Sequence, residues 1–304
     1  MREKKEFFVR RRIYNREGFK SRIAKKDGEV MLVAERNVVT VSGTTPIIEV
    51  AKLMKKHDFR RIPVTDPGTS RLVGLAVAID ILDFLGGGQK YNIIVHNYDG
   101  NFLAAINCPI SRIMSRAMYL DKNSRIDDVI EIMMTKRTSA IPIVDNLESM
   151  RVIGIVTERD ILPMGEEFGI SVREAMTRDV VTVDEDMSII EASKRMVQNR
   201  LRRLPVVRGD ELAGIVTVFD ILRMIGYGEF KNFLDRGIRV EDVLREKVSR
   251  VMEKNVIAVK PEDDLAKVSQ LVKATGYGGF PVVNNGRIVG IVTTSDVIRK
   301  IYRG

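Results

Sequence analysis

The chain has 304 residues, 44% of them hydrophobic, and a formal net charge of +9. That length suits one large domain or two ordinary ones, and no apolar run approaches the roughly 18 residues of a membrane helix. One cysteine, Cys108, and two histidines, His57 and His96, exclude an intrachain disulfide and leave little material for zinc or thiol chemistry; with no secretory leader at the charged start, a cytoplasmic setting is expected.

Residues 1–30 read as a basic N-terminal arm. Residues 1–26 hold eleven lysines and arginines against three acids, which is +8 of the total, so the rest of the chain is nearly neutral. A charge run of this kind is usually a solvated extension. Its alternative reading is docking on nucleic acid.

Beyond the arm one segment recurs four times: Gly74–Asp80, Gly154–Asp160, Gly214–Asp220 and Gly290–Asp296. Each copy follows a short apolar segment with a proline: Ile62-Pro63-Val64, Ile141-Pro142-Ile143, Leu204-Pro205-Val206 and Phe280-Pro281-Val282. Repetition at this scale governs the fold question. The repeats fall at 31–88, 109–166, 167–228 and 248–304, with linker inserts at 89–108 and 229–247.

Each repeat reads as β-α-β-β-α, an α/β (α+β) pattern. Opening strands are expected around Val39, Met118, Val181 and Ile257. In repeat 1, Ile48, Ala51 and Met54 then recur at helical spacing, as do Ile189, Ala192 and Met196 in repeat 3. A strand pair follows, with Arg208-Gly209-Asp210 and Asn284-Asn285-Gly286 as turn signals. Ile161-Leu162 and Ile221-Leu222 are expected to begin second helices. Gly86-Gly87-Gly88 reads as a helix stop. The repeat glycines are 80, 60 and 76 residues apart. This alternation suggests that repeats 1 and 2 form one pair and 3 and 4 another, each closing a core that one repeat is too small to close.

The candidate site is the strand-to-helix junction. Thr157, Thr217 and Thr293 stand three residues before Asp160, Asp220 and Asp296; Val77 stands before Asp80. A helix-capping box explains one copy. Yet the acid persists where the hydroxyl is lost, and it is never Glu. A short carboxylate at a fixed point suits the vicinal diol of a ribose. Helix N-termini favour phosphate. Arg61 and Arg203, just ahead of the prolines in repeats 1 and 3, are candidate phosphate clamps. Repeats 2 and 4 have Ser139-Ala140 and Gly278-Gly279 there, so repeat 2 would draw on Arg159 or on groups from repeat 1. Val39, Met118, Val181 and Ile257 could wall an adenine.

This fourfold Gly-x-x-(Thr)-x-x-Asp pattern resembles cystathionine-β-synthase (CBS) domains, two of which make a pseudo-twofold Bateman module. Two such modules are implied here. The insert around Phe84–Asn107 is similar to archaeal four-CBS proteins related to the γ subunit of AMP-activated protein kinase. The resemblance implies competitive AMP, ADP and ATP binding, with Asp80, Asp160, Asp220 and Asp296 on ribose, Thr157, Thr217 and Thr293 beside them, and Arg61 and Arg203 on phosphate. Arg60 and Arg202 stand where γ subunits often have histidine. The expected function is a regulatory adenine-nucleotide sensor, not an enzyme, with no resident cofactor or metal and with a protein partner or a second copy on a module face. The alternatives are a nucleic-acid-associated protein, an S-adenosylmethionine module and a ligand-free structural repeat protein. No phosphate-binding loop is present: Gly86-Gly87-Gly88-Gln89-Lys90 lacks its spacing.

Overall fold

The computed structural model describes residues 29–226 and 244–303. The basic arm up to residue 28, with the nucleic-acid reading of 1–26, and most of the insert at 229–247 lie outside the described residues. The last two positions assigned to the arm open a short helix, Glu29–Val33, in which Val30 and Val33 are buried.

Each repeat builds one small sheet around its proline-containing strand. In repeat 1, Val41–Ser42 runs parallel to Arg61–Thr65, which pairs antiparallel with Leu72–Val77. Repeat 2 does the same with Leu120–Asp121, Ala140–Val144 and Val152–Thr157. Repeat 3 uses Val183–Asp184, Arg203–Arg208 and Glu211–Thr217. In repeat 4 the hairpin is Gly279–Asn284 with Arg287–Thr293, and Val259 bridges to Val282. The Asn285-Gly286 turn has both residues at positive φ, 51° and 79°, as a two-residue hairpin demands. The opening strands are shorter than expected: Val39, Met118, Val181 and Ile257 lie in irregular chain just before the paired residues.

The proline is tolerated for a geometric reason. Pro63 faces Leu75, and the N–H and C=O of Leu75 bond to Ser115 at 2.8 and 2.9 Å instead of to the proline strand. The pair is a non-hydrogen-bonded one, so the missing N–H costs the hairpin nothing. The same bridge recurs with Ile155 and Glu35, Ile215 and Glu253, and Ile291 and Thr177. In each case a segment leading into one repeat docks on its neighbour. The lead-in to repeat 2 docks on repeat 1, and the lead-in to repeat 1 docks on repeat 2; repeats 3 and 4 exchange likewise.

The apolar cores follow a different pairing. The chain forms two compact units: Met118–Val180 with Ile257–Gly304 and the segment ending at Val38, and Val39–Ala117 with Val181–Val256. The first unit buries Met133 and Ile141 of repeat 2 with Phe280 and Val292 of repeat 4. The second buries Met54, Ile62 and Phe84 of repeat 1 with Ile189, Met196 and Ile221 of repeat 3. The expectation that consecutive repeats close a core together is therefore corrected: the shared cores join 1 with 3 and 2 with 4. Glycine spacing reports how the chain is connected, whereas the core depends on which apolar helix faces meet. Each fully buried Ile, Met or Phe contributes about 1.5–3 kcal/mol of transfer free energy, so these faces decide the units.

Helix Ile47–Lys56 buries Ile47, Val50 and Met54; Ile189–Gln198 buries Ile189, Ala192 and Met196. After the hairpins, helices Ala78–Leu82, Val218–Gly226 and Thr294–Arg303 begin in repeats 1, 3 and 4. Repeat 2 departs from expectation. Residues 158–160 form a turn, and no helix starts at Ile161-Leu162. Pro163 supplies no N–H and disfavours helical geometry at Leu162. The triple glycine does stop its helix: Gly86 has φ 127°, and a Cβ on Gly87 would lie 2.7 Å from Val197 Cγ2 and 2.9 Å from the Leu82 carbonyl. The insert at 89–108 contributes to the second unit's core through Ile94, Phe102 and Ala105.

Candidate functional site

The four junctions share one backbone register and one backbone hydrogen bond. The residue before each proline's apolar neighbour stands directly across the strand pair from the Thr or Val position: Arg61 from Val77, Ala140 from Thr157, Arg203 from Thr217, and Gly279 from Thr293. One residue on, a backbone N–H donates to the carbonyl at the strand's start: Ala78 to Arg60 at 3.0 Å, Glu158 to Ser139 at 3.2 Å, Val218 to Arg202 at 3.0 Å and Thr294 to Gly278 at 3.2 Å. The sequence alignment of arginines in repeats 1 and 3 with small residues in 2 and 4 therefore corresponds to one place in the fold. Arg61 and Arg203 are both half-buried.

Three of the acids are fixed by their threonines. Asp160 Oδ2 accepts from the Thr157 N–H and hydroxyl, both at 2.9 Å. Asp220 Oδ2 accepts from Thr217 at 2.8 and 2.7 Å, and its own N–H reaches back to Thr217 Oγ1 at 3.3 Å. Asp296 Oδ2 accepts from Thr293 at 2.9 and 2.7 Å. The reciprocal capping box is complete in repeat 3, where the Asp220 N–H returns to the Thr217 hydroxyl. Each threonine takes one carboxylate oxygen. The other, Oδ1, meets an arginine one turn on: Arg223 at 3.5 Å in repeat 3 and Arg299 at 3.2 Å in repeat 4, each arginine well exposed. The threonine thus fixes each carboxylate's orientation through one oxygen.

Repeat 1 differs. With Val77 in place of threonine, Asp80 takes its hydrogen bonds from elsewhere. Lys90 Nζ lies 2.6 Å from Oδ1, and Ser115 Oγ donates to Oδ2 at 2.6 Å. Neither group was visible as a site residue in the sequence, because the triple glycine and the docking segment bring them in from 10 and 35 positions away.

Repeats 2 and 4 share a polar junction within their unit. Ser295 Oγ donates to the buried Glu158 Oε1, and the Arg159 guanidinium donates to the Gly276 carbonyl. Arg159, considered a possible ligand group for repeat 2, thus has a structural bond to repeat 4. Burial pushes the Asp296 carboxyl above its ordinary range; Thr293 and Arg299 pull it down, and Glu158 adds to the rise.

The apolar candidates also take defined places. Met118 and Ile257 are each 37% exposed, while Val39 and Val181 are half-buried. A signal missed in the sequence is the recurrent Met-x-basic triplet ahead of these segments: Met114-Ser115-Arg116, Met176-Thr177-Arg178 and Met252-Glu253-Lys254. Its methionines fill the notches of the repeat glycines. A Cβ on Gly74, Gly214 or Gly290 would stand 2.6–2.7 Å from the sulfur of Met114, Met252 or Met176. Among the described residues, no cluster of His, Cys, Asp and Glu could hold a metal ion, and no helix is long and apolar enough to cross a membrane.

Comparison with known proteins finds four matches to one domain family along the chain. The CBS domain model matches residues 28–87, 110–164, 172–227 and 248–303. The chain is 35% identical over 277 residues to protein MJ1225 of Methanocaldococcus jannaschii, covering 89% of this chain and 98% of that protein. It is 30% identical over 269 residues to a 33.4 kDa protein of the ribosomal RNA operon of Thermofilum pendens, covering 88% of each. The crystal structure of MJ1225, described as a proposed archaeal homologue of γ-AMPK, superimposes with a TM-score of 0.85 at 34% identity, over 90% of this chain and 99% of that one. A Pyrococcus horikoshii protein at 18% identity and a TM-score of 0.56 shares the fold. With four matched domains spanning most of its length, the chain belongs to the CBS-domain family and is similar to the archaeal γ-AMPK-like group within it.

Proposed function

We propose that this protein is a regulatory adenine-nucleotide sensor without catalytic activity of its own. The observation that carries the reading is repeat 3, where Arg203 faces Thr217 across the strand pair and Thr217 fixes Asp220. Ribose hydroxyls would bond the second oxygen of Asp220, and phosphate would meet Arg203 and the N-terminus of the Val218–Gly226 helix. Repeat 4 keeps the Thr293–Asp296 pair and a ten-residue helix but has Gly279 where repeat 3 has arginine. Repeat 2 keeps Thr157–Asp160 without a helix to follow it. The likeness to the γ-AMPK-like protein supports a regulatory role. A nucleotide that binds two arrangements of the chain unequally shifts their populations and so reports its concentration to a protein partner or a second copy.

Isothermal titration of the purified chain with AMP, ADP, ATP and S-adenosylmethionine tests this. Saturable heat with the nucleotides and weaker binding of S-adenosylmethionine, whose sulfonium opposes Arg203, is the expected result. Absence of heat with every adenosyl compound sinks the sensor reading. Preference for S-adenosylmethionine would replace the nucleotide with that ligand.

A further inference from the structure

We propose that repeat 1 is a self-occupied junction, in which Lys90 and Ser115 hold Asp80 in place of a nucleotide ribose; this rests on the nucleotide reading of the other junctions. The premise is a difference in how the four acids are satisfied. Asp160, Asp220 and Asp296 each take a threonine on Oδ2, and Oδ1 of Asp220 and Asp296 meets a well-exposed arginine of its own helix at 3.5 and 3.2 Å. Asp80 has no threonine, and its two oxygens go to an ammonium and a hydroxyl brought from outside its helix, at 2.6 Å each.

The lysine is built into place. Gly86 turns the chain at φ 127°, Asp83 Oδ1 accepts the Lys90 backbone N–H at 2.8 Å, and Lys90 Nζ makes a second bond to the Ile113 carbonyl at 2.9 Å. The ion pair is largely covered, with side-chain exposure of 27% for Lys90 and 16% for Asp80. Ser115 sits on the segment that docks against Leu75, so both donors are fixed by backbone bonds made elsewhere. A charge-assisted bond in a covered setting outcompetes a neutral hydroxyl for the same oxygen. A ribose would have to expel the ammonium and strand it against a single carbonyl. Val77 fits this role: with no threonine to orient the carboxylate toward a diol, the lysine and serine orient it inward.

Nucleotide stoichiometry decides the matter. Calorimetry with AMP on the full chain should give the same number of sites for wild type and Asp80→Ala, while Asp220→Ala loses one. The double substitution Val77→Thr with Lys90→Met, which restores the threonine and removes the cation on a side chain of similar length, should add one site. Loss of a site in Asp80→Ala, or no gain in the double variant, overturns the proposal. Circular dichroism checks that each variant is folded, and Asp80→Asn repeats the count should Asp80→Ala not fold. Wild-type protein that binds no nucleotide overturns the nucleotide reading and this inference together. Wild-type binding with a lost site in Asp80→Ala overturns this inference alone.

Discussion

Arg203 lies directly opposite Thr217 across an antiparallel strand pair, and Thr217 holds Asp220 through its hydroxyl at 2.7 Å. A guanidinium, a hydroxyl and a carboxylate are thereby gathered at one strand-to-helix junction from two stretches of chain 14 and 3 residues apart. Hydrogen-bond register, not side-chain preference, sets this proximity. A one-residue slip would send the arginine to the other face of the sheet.

Replacing Asp220 with alanine should weaken nucleotide binding in repeat 3 by roughly 10- to 100-fold, the range for losing a hydrogen bond to a charged acceptor. The fold should persist, since losing the capping contact costs about 1 kcal/mol. Calorimetric site number and thermal melting, measured side by side, check both halves.

Arg203→Gln should penalise ATP and AMP while leaving adenosine nearly unaffected. The guanidinium is assigned to phosphate, and a neutral amide keeps hydrogen bonding without charge. Equal losses for adenosine and ATP would contradict that assignment. The salt dependence of ATP binding should fall in the variant as well.

Gly214→Ala tests the methionine-filled notch. Its Cβ would stand 2.7 Å from the Met252 sulfur and 3.0 Å from the Glu253 carbonyl, so overpacking should cost about 1–3 kcal/mol. Gly154→Ala should cost less, because its nearest neighbour is the Ala34 methyl at 3.3 Å. Denaturant titration of the two variants gives the comparison, and Met252→Ala in the Gly214→Ala background should recover part of the loss.

Asp296→Asn probes the buried carboxyl beside Glu158, Thr293 and Arg299. Its folded-state pKa is raised from an ordinary 3.8, chiefly by burial. For a raised carboxylate, the stabilising contribution is present below the ordinary value and is lost as pH rises through the folded value. The asparagine variant should therefore gain in melting temperature relative to wild type as pH rises from about 3.8 toward neutrality. A difference that does not vary with pH would mean the carboxyl's ionisation is not linked to folding.

The repeats, their strand and turn signals, and the equivalence of Arg61 with Arg203 were legible in the residues because they are local or periodic. A proline, a glycine and an acid at fixed offsets carry the same backbone demands in every copy. Even the methionine triplets were there to be read, since Met176 and Met252 stand seven residues before Val183 and Val259, and Met114 six before Leu120. The missing helix after Asp160 was also within reach, through Pro163.

What the sequence by itself determined is the unit: four strand-helix-hairpin repeats with an acid at each junction, and a family that follows from that pattern. The tertiary structure decided which apolar faces close a core and which groups reach each acid. Repeats 1 and 3 share one core and 2 and 4 the other because burial depends on helix faces meeting in space, which chain order does not encode. Lys90 reaches Asp80 for the same kind of reason. Its sequence neighbours say only that a glycine turn precedes it; the folded backbone aims its ammonium at a carboxylate that has no threonine of its own.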